Sequence, residues 1–112
     1  ATDGIGKALC FSYAKRGMNV FLISRTQSKL DAVAKEVSDK YNVETKTLAI
    51  DFSKFDEAAQ KRVKSELEKL DKLGILVNNV GMSYPFPMYF HELDDEDVQG
   101  LLDLNMYSLT IM

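Results

Sequence analysis

The stretch ATDGIGKALCFSYAKRGMNVFLISRT, residues 1–26, decides the fold. Gly4 and Gly6 open a segment in which Ile5, Ala8, Leu9, Ser12 and Tyr13 recur at helical spacing, and Gly17 is placed to end that helix. Residues 20–23, VFLI, then form an unbroken apolar run, as expected of a strand buried on both faces of a parallel sheet. A glycine turn, a one-sided helix and a buried strand together predict an α/β unit.

The same alternation continues downstream. Thr26 or Ser28 can cap a second helix, whose stripe is Leu30, Val33, Ala34, Val37 and Tyr41, and residues 43–50 read as the next strand. A third helix is expected from near Ser53 or Phe55, because Ser53 and Asp56 have capping-box spacing; its stripe is Ala59, Val63, Leu67 and Leu70. Ile75, Leu76 and Val77 predict a further strand, ended by Asn78-Asn79-Val80-Gly81. Residues 82–93 hold both prolines and read as a loop, and a last helix is expected from about Asp94. The order implies right-handed crossovers and a three-layer αβα fold with a parallel sheet. Residues 1–112 would be one partial domain, lacking a first strand before Ala1 and a carboxy-terminal half after Met112. A sheet without its first strand exposes an interior edge, so poor folding of the isolated piece is expected.

Composition narrows the function. With 46% hydrophobic and 28% charged residues the chain has ordinary globular usage. A net charge of -3 supplies no basic field for a nucleic acid backbone. The single cysteine, Cys10, cannot form an internal disulfide, and no His/Cys set has zinc spacing. No apolar run approaches the roughly 18 residues a membrane span requires.

Gly4-Ile5-Gly6-Lys7 has the chemistry of a phosphate cradle: backbone without Cβ atoms comes close to the anion, and the next helix aims free N–H groups at it. A Walker A loop would need Ser or Thr where Ala8 stands, and GxGxxG would need Gly or Ala where Leu9 stands. The residues instead resemble the TGxxxGxG loop of the short-chain dehydrogenase/reductase family, which Ala1-Thr2-Asp3-Gly4-Ile5-Gly6 matches after its first glycine. Asn78-Asn79-Val80-Gly81 is similar to that family's Asn-Asn-Ala-Gly motif. Val80, with Gly74-Ile75-Leu76-Val77 before it and Met82-Ser83-Tyr84 after it, resembles the branch of very-long-chain 3-oxoacyl-CoA reductases and 17β-hydroxysteroid dehydrogenases.

The resemblance implies a Rossmann-like fold and a nicotinamide-dependent ketone reductase, acting on an acyl-CoA or a steroid ketone. It implies a cofactor site built from Thr2, Asp3, Gly4, Ile5, Gly6, Asp51, Phe52, Asn78, Val80 and Gly81. It also implies homo-oligomerisation, and an endoplasmic reticulum membrane location through segments outside this stretch. Cofactor choice has a physical argument as well. A NAD site wants an acid at the end of the second strand, whereas a 2′-phosphate wants a guanidinium; the chain offers Ser24-Arg25-Thr26 and no acid until Asp31, which favours NADP(H) at Arg25.

Asn105 falls among Val98, Leu101, Leu102, Leu109 and Met112 on the apolar face of the last helix, so a polar partner is expected inside. In the resembling enzymes an Asn on this helix holds a water in the proton relay to the catalytic lysine, which assigns Asn105 a catalytic role. No Tyr-x-x-x-Lys exists in the chain, so the catalytic Ser, Tyr and Lys of the family are absent and inactivity of the piece alone is expected. The rival of another class is an inactive NADP-binding sensor or partner subunit. Cys10 and His91 read as filler, and Tyr84, Phe86, Tyr89 and Phe90 read equally as a ligand lining or as packing.

Overall fold

The computed structural model describes residues 1–112, which fall into two compact units, Ala1–Asp51 and Phe52–Met112.

The first unit runs α1 (Gly4–Ala14), β1 (Val20–Ser24), α2 (Gln27–Tyr41), β2 (Thr45–Ala49). Asp3 caps α1, its carboxylate accepting from Gly4 N–H at 2.8 Å. At the other end Met18 N–H donates to Tyr13 O and Gly17 N–H to Ala14 O, with Gly17 at φ +79°, the paired closure that a glycine just past a helix permits. Asn42, also left-handed, ends α2. The strands pair in parallel, with Val20 opposite Thr45 and Ser24 opposite Ala49, so their carboxyl ends are level. Both helices pack on the sheet and on each other, which puts them on one face. The core is Cys10, Ala14, Leu22, Leu30, Val33, Ala34, Val37 and Val43.

The expected stripe of α2 is the buried one, but that of α1 is not: Gly6, Cys10 and Ala14 face inward while Ile5 is 74% exposed. Small residues every fourth position let α1 approach its neighbours closely, and a reading keyed to bulky side chains passes over them.

In the second unit a 3-10 turn, Phe52–Lys54, precedes α3 (Glu57–Glu68). This helix starts later than expected because Asp56 is itself the cap, accepting from Ala59 N–H at 2.8 Å. Val63 is its buried residue. Ile75, Leu76 and Val77 form no strand; they are exposed and pair with no strand of this chain, and an apolar run becomes a strand only where a neighbour supplies the ladder. A 3-10 turn, Phe90–Glu92, leads to α4 (Asp95–Leu102), capped by Asp94. A π-helical turn, Asp103–Tyr107, interrupts the last helix before it resumes as α5 (Ser108–Ile111). Along this helix Leu104 and Ser108 are buried and Val98, Leu101 and Met112 half-buried, while Leu102, Asn105 and Leu109, expected on the same face, are exposed. No helix is long and apolar enough to cross a membrane.

Candidate cofactor-binding site

The level strand ends define the first part of the site. Beyond β1 stands Arg25, and beyond β2 stand Ile50 and Asp51; Ile50 N–H donates to Ser24 O at 2.9 Å, extending the pairing past the sheet. The chain entering α1 lies against the same edge: the Ala1 nitrogen donates to Ile23 O at 3.4 Å, and the Thr2 and Ser24 hydroxyls are 3.5 Å apart. Thr2, Asp3, Gly4, Arg25 and Asp51 thus gather at the carboxyl edge of a parallel sheet, where open α/β folds bind ligands.

Gly4 turns with φ +54°, a conformation L side chains rarely adopt, and a Cβ there would meet nothing within 4 Å. The backbone is therefore open on that side. Asp3 takes the Gly4 N–H and Lys7 N–H reaches Asp3 O, which leaves the Ile5 and Gly6 amides as donors that the helix itself cannot pair. Gly6 is buried against the core, and the Ile5 side chain points to solvent. This turn fits a pyrophosphate. Arg25 is exposed, and Asp51 is half-buried and already partnered. Phe52 is buried with its ring 5.0 Å from that of Phe55, so what it can offer a ligand is backbone.

Asn78, Asn79, Val80 and Gly81 lie in the second unit, all exposed. Immediately after them Met82 is held at both backbone groups by one side chain: Met82 N–H donates to Asn105 Oδ1 and Asn105 Nδ2 donates to Met82 O, each at 2.9 Å. A Cβ on Gly81 would stand 3.0 Å from that Oδ1, so any other residue there makes the Asn105 side chain give by a few tenths of an ångström. The expected polar partner of Asn105 is real, but it is main chain, and Asn105 itself is exposed rather than on a buried face. His91, read as filler, stacks on Tyr89 at 5.7 Å.

Residues 82–93 and α4 frame an open apolar depression of about 400 Å³, lined by Tyr84, Met88, Phe90, Leu93, Val98, Leu101 and Leu102. No group of His, Cys, Asp or Glu side chains is placed to hold a metal. Cys10 is buried in the first core, and burial raises its thiol pKa above the ordinary value. Sequence reasoning missed a hydrogen-bonded triangle between the start of α2 and β2, made by Gln27, Asp31 and Thr47. The spacing of Gln27 and Asp31, four apart on a helix, was its one visible sign.

A glycine turn at the carboxyl edge of a parallel sheet, with a guanidinium at the end of the neighbouring strand, defines a dinucleotide-binding protein of the α/β class. The short chain dehydrogenase family model matches residues 1–112, and the chain belongs to that family. It is 48% identical over 110 residues to the very-long-chain 3-oxoacyl-CoA reductase of Mus musculus, a match covering 96% of this chain and 34% of that protein. With the Caenorhabditis briggsae very-long-chain 3-oxoacyl-CoA reductase the identity is 50% over 117 residues, covering 100% of this chain and 36% of the relative. The chain thus spans about a third of the length of the curated relatives it matches. A short-chain dehydrogenase from Sphingobium yanoikuyae, solved in complex with NADPH, superposes with a TM-score of 0.86 at 31% identity, covering 99% of this chain and 42% of that one. That likeness gives the chain the fold expected of it, a partial Rossmann-like αβα domain.

Proposed function

We propose that the whole protein is an NADPH-dependent ketone reductase whose substrate is a 3-oxoacyl-CoA, and that residues 1–112 supply most of its cofactor site. The observation that carries the proposal is the gathering of the Gly4 turn and Arg25 at one sheet edge. The substrate class is supported by the names of the relatives that are about half identical.

NADPH, when bound, supplies the hydride for the substrate carbonyl. Toward it, Thr2, Asp3, Gly4, Ile5 and Gly6 hold the pyrophosphate, with the Ile5 and Gly6 amides as donors and no side-chain cation needed. Arg25 pairs with the 2′-phosphate, which its planar fork of donors suits better than a lysine would. Asp51 would accept from the adenine amino group, and Phe52, its ring buried, would offer the base its backbone. By the family resemblance Asn78, Val80 and Gly81 would also contact the cofactor, and the Asn105 clamp on Met82 fixes the chain that follows them. Asn105, its side-chain amide engaged by Met82, would hold the relay water from this position on the last helix.

Steady-state oxidation of NADPH by the protein from its full reading frame tests this. Turnover with a long-chain 3-oxoacyl-CoA, and at least tenfold lower kcat/KM with a 17-ketosteroid, is expected. The reverse order overturns the substrate assignment, and no turnover with either overturns the reductase reading in favour of a cofactor-binding sensor.

A further inference from the structure

The apolar depression of the second unit has two walls: the segment 82–93, which brings Tyr84, Met88 and Phe90 to it, and α4, which brings Leu101 and Leu102. Its volume of about 400 Å³ falls within the range of small-molecule sites, and the Tyr84 hydroxyl is the one side-chain oxygen or nitrogen among its lining residues. Hydrogen bonds fix the segment at both ends. Asn105 holds the two backbone groups of Met82, each at 2.9 Å. At the far end Glu92 accepts from Tyr89 N–H at 2.8 Å, Leu93 N–H donates to Phe90 O at 3.2 Å, and Asp94 caps α4 by accepting from Asp97 N–H at 2.8 Å. The Met82 sulfur would stand 3.8 Å from a Cβ on Gly100, so the segment begins by resting on α4 itself.

Position and charge narrow what such a depression can take. Tyr84 is three residues past Gly81, at most about 11 Å along the chain, and Leu101 stands four residues before Asn105, about 6 Å along the helix axis. The depression therefore adjoins the residues read above as cofactor contacts and proton relay. Between its lining residues Leu93 and Val98 the chain reads Asp94-Asp95-Glu96-Asp97, all exposed, and no Lys or Arg occurs between Lys72 and Met112. That acidic rim repels the phosphates of coenzyme A and of an anionic lipid surface, and it offers them no cation. A neutral hydrocarbon meets no such penalty. It gains by leaving water against leucine and phenylalanine, and the unbranched Met88 adapts to a flexible chain.

We infer that this depression receives the hydrocarbon tail of the acyl substrate, with the coenzyme A end directed away from the acidic rim, and that Met88 and Leu102, one on each wall, set a preference for long chains. The inference rests on the reading of the protein as a 3-oxoacyl-CoA reductase.

The test measures kcat/KM of the protein from its full reading frame with 3-oxostearoyl-CoA and with acetoacetyl-CoA, whose acyl group has no tail to place in the depression. Leu102 is 45% exposed, so Leu102→Gln puts an amide on one wall without disturbing a packed core. It is expected to lower the ratio of long-chain to short-chain kcat/KM about three- to tenfold, and Met88→Gln on the other wall to do the same. Leu102→Met keeps the wall apolar and is expected to hold the ratio within about twofold. A ratio unchanged in both glutamine variants, or a parallel loss with both substrates, overturns the inference. So does dissociation of an oligomer by Leu102→Gln in sedimentation, which would make the depression an interface between copies. The native protein separates the two readings: turnover of 3-oxostearoyl-CoA with a ratio that the variants leave alone overturns the tail site only, whereas no turnover overturns the reductase reading and the tail site with it.

Discussion

Replacing Gly81 by alanine puts a carbon 3.0 Å from Asn105 Oδ1, where about 3.4 Å is ordinary contact. The side chain must yield by about 0.4 Å, which stretches its 2.9 Å bond from Met82 N–H to about 3.3 Å, beyond the usual range for N–H···O bonds. The two bonds of the clamp contribute about 1 kcal/mol each at most, less because Asn105 is exposed and water replaces part of them, so Asn105→Ala costs about 1 kcal/mol in all. Gly81→Ala is expected to cost a similar amount in the native background. In the Asn105→Ala background the clash is gone and the alanine is neutral or slightly stabilising, since it lowers the entropy of the unfolded chain by about 0.4–1 kcal/mol. A double-mutant cycle by urea unfolding of the full-reading-frame protein should therefore give a coupling of about 1–2 kcal/mol. Equal costs of Gly81→Ala in the two backgrounds would refute the clamp.

Gly17→Ala meets no atom within 4 Å, so its cost is purely the left-handed backbone at φ +79°; about 1 kcal/mol of destabilisation is expected, with Gly17→Asn milder, both read from thermal unfolding. Cys10 predicts a pH effect whose sign follows from its raised pKa: above the ordinary value of 9.0 the unfolded chain releases the thiol proton while the folded one keeps it, so stability falls as pH rises. Unfolding midpoints measured between about pH 8 and 10 should fall less in Cys10→Ala than in the native protein, and parallel declines would count against the burial of the thiol.

What could be read from the chain follows the range of the forces involved. The stripe of α2 and the strand after it were legible because local spacing alone sets which face is apolar, and Leu30, Val33, Ala34 and Val37 are the residues buried. The glycines at 4 and 17 were legible because both turn through positive φ. The run Ile75, Leu76, Val77 misled, since strand formation is a property of a pair of segments and β1 takes β2 as its strand neighbour here. The π turn at Asp103–Tyr107 was invisible to a fixed 3.6-residue period, and so was the exposure of Asn105 within it. Its partner, a backbone group 23 residues away, leaves no compositional trace. The Gln27, Asp31 and Thr47 triangle likewise depends on the register of α2 over β2.

The claim on which the rest depends is that this segment receives a phosphate-bearing nicotinamide cofactor through Arg25. Calorimetric titration of the full-reading-frame protein with NADPH and NADH addresses it directly: NADPH is expected to bind at least tenfold more tightly, and Arg25→Ala to erase the difference by weakening NADPH alone. Equal affinities, or a preference that survives Arg25→Ala, would contradict it.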